Sequence, residues 1–226
     1  MFMQTSMMST LLSIPLFQGL TMDELMTLLE QVRPDFLHFE DEYFLRQGER
    51  HTQLLYILNG HVIRERKESH GNYLFSEVIE EGSFIEISSL FGRDISLRAS
   101  YGAKGEVTLL AFDKSYMFNV FGRFSIVQLN LLNLYCAHSQ ALLENHIPPL
   151  GDDIRTRFCH LVRNLCESPF GEKQLKITRV NLARLLGCNC RRMSEEITCW
   201  QRAGLVSLTY GGLDIPDLNR LLAGQR

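Results

Sequence analysis

Cysteine is missing from the first 135 residues of this 226-residue chain; all six, Cys136, Cys159, Cys166, Cys188, Cys190 and Cys199, lie beyond that point. A chain of this size with unclustered cysteines reads as cytosolic and reduced, and does not suggest a disulfide scaffold. No apolar run reaches the roughly 18–20 residues that span a bilayer. The first residues, MFMQTSMMSTLLSIPLF, lack a basic stretch ahead of their apolar patch, which argues against a signal peptide. There is no HxH pair, so the metal site of a cupin-type jelly-roll enzyme has no sequence basis; His51 and His61 are scattered. No Ser-His-Asp or Cys-His set is suggested by spacing either, and the expectation is a non-enzyme.

What is present suits a globular protein of one or two domains, with 45% hydrophobic and 22% charged residues. The net charge of −3 hides an asymmetry. Residues 150–226 carry twelve Lys/Arg and eight Asp/Glu, about +4, and residues 1–149 the remaining eleven and eighteen, about −7. A basic C-terminal part is a candidate for polyanion binding.

Residues 10–32 read as short helices, with Thr21 and Glu24 as a capping box. From about 35 to 118, short apolar stretches alternate with glycines at 48, 60, 71, 82, 92, 102 and 105, which indicates an all-β sandwich or barrel. KESHGNY is read as a hairpin loop. Residues 123–146 contain no Gly or Pro and predict a long helix. Phe124, Val127, Leu131, Leu134, His138, Ala141 and Asn145 fall in a/d register, the pattern of a seam between two chains. HIPPLGDD (146–153) breaks that helix as a hinge. A further helix follows, capped by Asp152 or Asp153, with Cys159 and Cys166 on its apolar side.

The segment KITRVNLARLLGCNCRRMSEEITCWQRAGLVSLTYGGLDIPDLNRLLAG holds the strongest motif. Thr178 begins a helix with Leu182, Ala183, Leu185 and Leu186 as apolar residues, and Gly187 ends it. Asn189 caps a second helix in which Met193, Ile197 and Trp200 face inward. Arg191, Ser194, Glu195 and Thr198 are left outside. Two helices around a tight glycine turn make a helix-turn-helix, and the strands around Tyr-Gly-Gly make a wing. Cys188 and Cys190 are spaced CxC, only half a zinc set. Cys190 opens the helix, where redox control of DNA binding is an alternative role; Cys199 is placed beside Trp200 on the core side.

The whole chain resembles the Crp/Fnr-type transcription factors, related to the cyclic-AMP receptor protein. The resemblance rests on RQGER (46–50), LLYILNGHV (54–62), EEGSFIEISSLFG (80–92) and KITRVNLARLLGCN…GLVSL. It implies an α+β fold: an N-terminal double-stranded β-helix (jelly-roll) sensor domain over 1–122, a dimerisation helix over 123–147 and a C-terminal winged helix-turn-helix over 148–226. It also implies a homodimer reading a pseudo-palindrome on double-stranded DNA through a recognition helix at 189–203, with RNA polymerase as a candidate further partner. The base- and phosphate-contacting set would be Thr178, Arg179, Asn189, Cys190, Arg191, Arg192, Ser194 and Glu195. Arg191 would read guanine and Glu195 cytosine, while Arg179 and Arg192 would hold phosphates.

The chain departs from the family pattern in several places. Glu86-Ile87 stands where cyclic-nucleotide binders carry Gly-Glu, and Ala99 follows Arg98 where they carry Ser or Thr, so cyclic AMP is not expected. Glu86, Ser88, Ser89, Arg98 and Tyr135 remain the candidate effector pocket. The iron–sulfur branch needs cysteines ahead of or within the roll, and this chain has none there. No haem motif is visible, although His38, His51, His61, His70 and eight methionines include residue types that ligate haem iron. The recognition helix lacks the Ser-Arg-Glu-Thr-Val opening, so a TGTGA half-site is not expected. The alternatives are a cyclic-nucleotide-binding-like regulatory module without DNA binding, and a haem- or redox-sensing variant of the same regulator.

Overall fold

The computed structural model describes residues 2–146, 153–168 and 171–223. Two helices lead the chain, α1 (Phe2–Ser13) and α2 (Met22–Gln31). Thr21 and Glu24 form the capping box: the Thr21 hydroxyl accepts from Glu24 N at 3.2 Å, and the Glu24 carboxylate accepts from Thr21 N at 2.8 Å. This satisfies backbone donors that the first turn would otherwise leave open.

The roll follows in β1 (Asp35–Glu40), β2 (Tyr43–Leu45), β3 (Gln53–Glu68), β4 (Tyr73–Ile79), β5 (Phe84–Ile85) and β6 (Ser100–Asp113). The long strands β3 and β6 pair antiparallel from Gln53↔Asp113 to Glu65↔Ser100. Their register shifts around Asn59, where Gly60 has φ +93° and a Cβ would stand 2.3 Å from the Glu106 carbonyl oxygen. Only glycine allows the chain to fold over its partner so closely. Below that bend β3 is buried on both faces. Leu55 and Ile57 point into the roll with Leu97, Tyr101 and Leu109. Leu54 and Tyr56 point outward, under a helical cover holding Phe17, Leu25, Phe121 and Val127. Phe17, Phe112 and Phe121 meet edge to face, with centroids 5.6–5.8 Å apart.

A short helix, α3 (Tyr116–Asn119), leads to the long helix α4 (Ser125–His146). The predicted a/d set on α4 does not form an outward seam. Val127 is fully buried, and Phe124, Leu131 and Leu134 pack against the roll's helical cover. The sequence has apolar residues on two sides of this helix, and periodicity alone does not say which side meets its own domain. Asn130 fixes the choice by donating its side-chain amide to the carbonyls of Leu16 (3.1 Å) and Gln18 (2.8 Å). The exposed apolar residues are instead Leu129, Leu132, Leu142 and Leu143. The Asn145 side chain and residues 147–152 of the predicted hinge (146–153) lie outside the described residues.

The C-terminal unit comprises α5 (Ile154–Leu165), β7 (Lys173–Lys176), α6 (Arg179–Leu185), α7 (Cys190–Arg202), β8 (Ser207–Thr209), β9 (Gly212–Ile215) and α8 (Leu218–Ala223). Asp153 caps α5, accepting from the amides of Arg155 and Thr156. Its core is centred on Phe158 stacked on Trp200, 4.8 Å apart at 16°. Cys159 is buried there and Cys166 packs at the edge; burial raises their thiols to about 11 and about 12.

Strand β7 has no counterpart in the sequence reading. It pairs antiparallel with β4 of the roll, Leu74↔Lys176 to Glu77↔Lys173, and on its other side with β9. One nine-stranded sheet therefore runs from the roll into the wing. Phe75 of β4 sits in the C-terminal core. Among the described residues no helix is long and apolar enough to cross a membrane.

Candidate nucleic-acid interface

The two-helix unit is built by local chemistry at each end. The Thr178 hydroxyl accepts from Asn181 N at 3.2 Å and starts α6. Gly187, at φ +61°, ends it; the amide of Cys188 reaches back to the Ala183 carbonyl at 2.9 Å. The Asn189 side chain accepts from Arg192 N at 2.8 Å and starts α7. Met193, Ile197 and Trp200 are buried, which turns Arg191, Arg192, Glu195 and Thr198 outward. Leu185 is exposed, because the short α6 buries its Leu182 and Ala183 side. One expectation fails here: Cys199 is exposed, since one residue before Trp200 is about 100° around the helix, away from the core.

The outward residues of α7 also bond among themselves. Arg191 Nε lies 3.1 Å from Glu195 Oε1, an exposed i,i+4 ion pair. The Ser194 hydroxyl donates to the Cys190 carbonyl at 3.0 Å and the Thr198 hydroxyl to that of Ser194 at 2.8 Å. Thr178 and Arg179 line a groove of about 250 Å³ shared with Leu208, Thr209 and Gly211 of the wing. At the wing tip Tyr210 is fully exposed, a residue the sequence reading left out although its place in Tyr-Gly-Gly was visible. Gly212 permits the wing's close approach to β7, where a Cβ would stand 2.3 Å from the Leu175 carbonyl oxygen.

The candidate effector residues divide. Ser88 and Arg98 line a cleft of about 730 Å³ together with His138 and Ala141 of α4. Glu86 and Ser89 do not. Glu86 is buried at φ +40°, and its carboxylate accepts from Arg98 N (2.6 Å), the Tyr101 hydroxyl (2.8 Å) and the Ser89 hydroxyl. Those three donors hold it inside the roll, as a buried carboxylate requires. Burial, with the nearby Glu167 and Glu86 charges, pushes the Tyr101 phenol well above its ordinary value. Tyr135 donates to the Ile87 carbonyl at 3.0 Å, and burial raises its phenol to about 12.

Beside this cleft lies a buried ionic cluster. Glu77 Oε1 is 2.8 Å from Arg64 Nη1, and Glu77 Oε2 is 3.2 Å from Lys173 Nζ. The amides of Glu167 and Ser168 also donate to the Glu77 carboxylate, at 2.8 and 3.3 Å. Arg64 further donates to the Leu165 carbonyl at 2.9 Å. A sequence signal for it existed: Glu77 shares the period-two face of Phe75 and Ile79, and Lys173 that of Leu175 and Ile177.

No family model and no curated protein matches the sequence. Solved structures do. The sensor domain of the transcriptional regulator DNR from Pseudomonas aeruginosa is 22% identical, covering 67% of this chain and 99% of that one, with a TM-score of 0.53. A transcriptional regulator of the Crp/Fnr family from Eubacterium rectale is 19% identical, covering 94% of this chain and 98% of that one, with a TM-score of 0.51. At these identities the likeness is one of fold: a β-roll, a long helix and a winged helix-turn-helix in the Crp/Fnr arrangement.

Proposed function

We propose that this chain is a divergent Crp/Fnr-type transcriptional regulator that binds double-stranded DNA as a homodimer. The observation that carries the reading is the α6–Gly187–α7 unit: capped at both starts, anchored by Met193, Ile197 and Trp200, and presenting Arg191, Arg192 and Glu195 to solvent beside a wing. The Arg191–Glu195 pair supports a joint role in which Glu195 orients Arg191 toward a guanine edge, alongside direct acceptance from cytosine. Arg179 and Arg192 are assigned to phosphates, with Thr178, Asn189 and Cys190 at the same helix starts, and Ser194 lies on the same face. Tyr210 extends the surface at the wing.

The dimer seam we assign is Leu129, Leu132, Cys136, Ser139 and Leu143. Their spacing of three, four, three and four is a heptad pattern on the solvent side of α4, and all five are exposed. A gel shift at increasing salt tests DNA binding: affinity should fall steeply as salt displaces the phosphate contacts. A chain that retards no DNA at low salt is not this regulator.

A further inference from the structure

A groove of about 360 Å³ lies on the outer face of the continuous sheet, where the roll meets the wing. It shares no residue with the 730 Å³ cleft, and no helix lines it. Its volume is at the small end of ligand sites, which run from roughly 300 to 1,000 Å³. Strand alternation sets its floor. Val62, Glu77, Ile79 and Ala103 are buried, so Ile63, Val78 and Lys104 point the other way. Lys173 is buried against Glu77, which turns Glu172 and Gln174 to that same outer face. Crossing the sheet in the order β6, β3, β4, β7 therefore meets Lys104, Ile63, Val78 and Glu172: a cation, two half-buried apolar side chains and an anion. Asp214 of β9 stands beyond, beside Gln174, whose side-chain amide donates to it at 2.8 Å. Lys104 and Glu172 are exposed and make no ion pair among the described residues. Three strand spacings, about 14 Å at the backbone, keep them apart.

We propose that this groove binds a small zwitterion whose carboxylate and ammonium are separated by an apolar spacer. The carboxylate meets Lys104, the spacer lies over Ile63 and Val78, and the ammonium meets Glu172 and Asp214. A simple anion or a simple cation finds one matching end and one repelling end, so the groove selects for both charges in one molecule. The roll supplies Lys104 and the C-terminal unit supplies the acids. An occupant therefore spans the β4–β7 pairing and favours the joined arrangement over any in which the two strands part. The site goes beyond the regulator reading and does not depend on it, since binding is measured without DNA.

Titration calorimetry on the full chain with 5-aminopentanoate, at matched ionic strength, tests it. Saturable binding at millimolar concentration is expected. Pentanoate and pentylamine each lack one charge and should bind roughly tenfold or more weakly. L-Norvaline carries both charges at one end and should also bind more weakly. Lys104→Gln and Glu172→Gln should each weaken binding of 5-aminopentanoate roughly tenfold. Lys67→Gln, exposed on the roll outside the groove, should leave it unchanged. All three substituted side chains are exposed, so thermal melts matching the parent chain keep the comparison fair. Bound 5-aminopentanoate should also slow amide exchange across Lys173–Lys176. No saturable binding overturns the proposal. So does binding that survives both Lys104→Gln and Glu172→Gln, or that leaves exchange at Lys173–Lys176 unchanged, since either places the ligand elsewhere. Pentanoate, pentylamine or L-norvaline binding as tightly as 5-aminopentanoate contradicts the spaced pair of charges. A chain that binds 5-aminopentanoate but no DNA contradicts the regulator reading alone; one that binds DNA but not 5-aminopentanoate contradicts this proposal alone.

Discussion

Glu77 and Lys173 face each other across neighbouring strands, one in the roll and one at the entry to the C-terminal unit, with 3.2 Å between carboxylate and ammonium and neither side chain exposed. Two charges this deep are tolerable only as a pair, and Arg64 and two backbone amides complete the shell around the carboxylate. The pair is where the sheet of the roll becomes the sheet of the wing.

Breaking that shell from one side leaves the remaining charges buried without a counter-ion. Glu77→Ala should cost about 3–5 kcal/mol of stability, read as a lower denaturant midpoint. Glu77→Gln keeps the shape and removes the charge, and should also destabilise. Hydrogen exchange should quicken at Lys173–Lys176 in both, because the β4–β7 ladder loses its anchor.

The chain's single tryptophan reports on the C-terminal core by itself. Phe158→Ala removes the ring stacked on Trp200 and should cost about 3–5 kcal/mol. Tryptophan fluorescence should follow that loss at lower denaturant than in the parent chain. An unchanged midpoint would mean that the stacked pair contributes little to this core.

His51 gives the fold a pH dependence. Its ring is buried, and burial holds its pKa below the ordinary imidazole value, with the Glu86 charge partly opposing. Below about pH 6.5 the unfolded chain takes up a proton there that the folded chain refuses. Stability from this group is thus complete above that pH and declines as the pH falls toward the folded value. His51→Gln should flatten the slope of stability below about pH 6.5, measured by denaturant melts from neutral pH downward.

The two faces of α4 should respond differently. Leu132→Glu places a charge on the assigned seam and should shift the chain from dimer to monomer in sedimentation, with little loss of fold stability. Val127→Ala acts within the roll's own core and should cost about 0.5–3 kcal/mol without dissociating a dimer.

Much of the fold was legible in the sequence because its signals are local. The Thr21–Glu24 box, the Gly187 turn and the Asn189 cap each declare themselves within four residues, and the inward set Met193, Ile197, Trp200 follows from helical spacing. Three features were not legible, since each depends on distant chain. Which side of α4 meets the roll is decided by Asn130 reaching back to Leu16 and Gln18. Strand β7 is four residues long and gains its identity from β4, nearly a hundred residues earlier. Glu86 is held inside the roll by donors twelve and fifteen residues further on, Arg98 N and the Tyr101 hydroxyl.

Selection of bound sequences from random double-stranded DNA by the full chain bears on the reading of α7 more closely than any other experiment. It should return pseudo-palindromic sites whose half-sites lie about one helical turn apart and are not TGTGA. Arg191→Ala should relax preference at one base pair of each half-site, and Arg179→Ala should weaken all sites alike. Enrichment of TGTGA half-sites would contradict the assigned readers. Failure to enrich any sequence, with binding that ignores salt, would contradict the regulator itself.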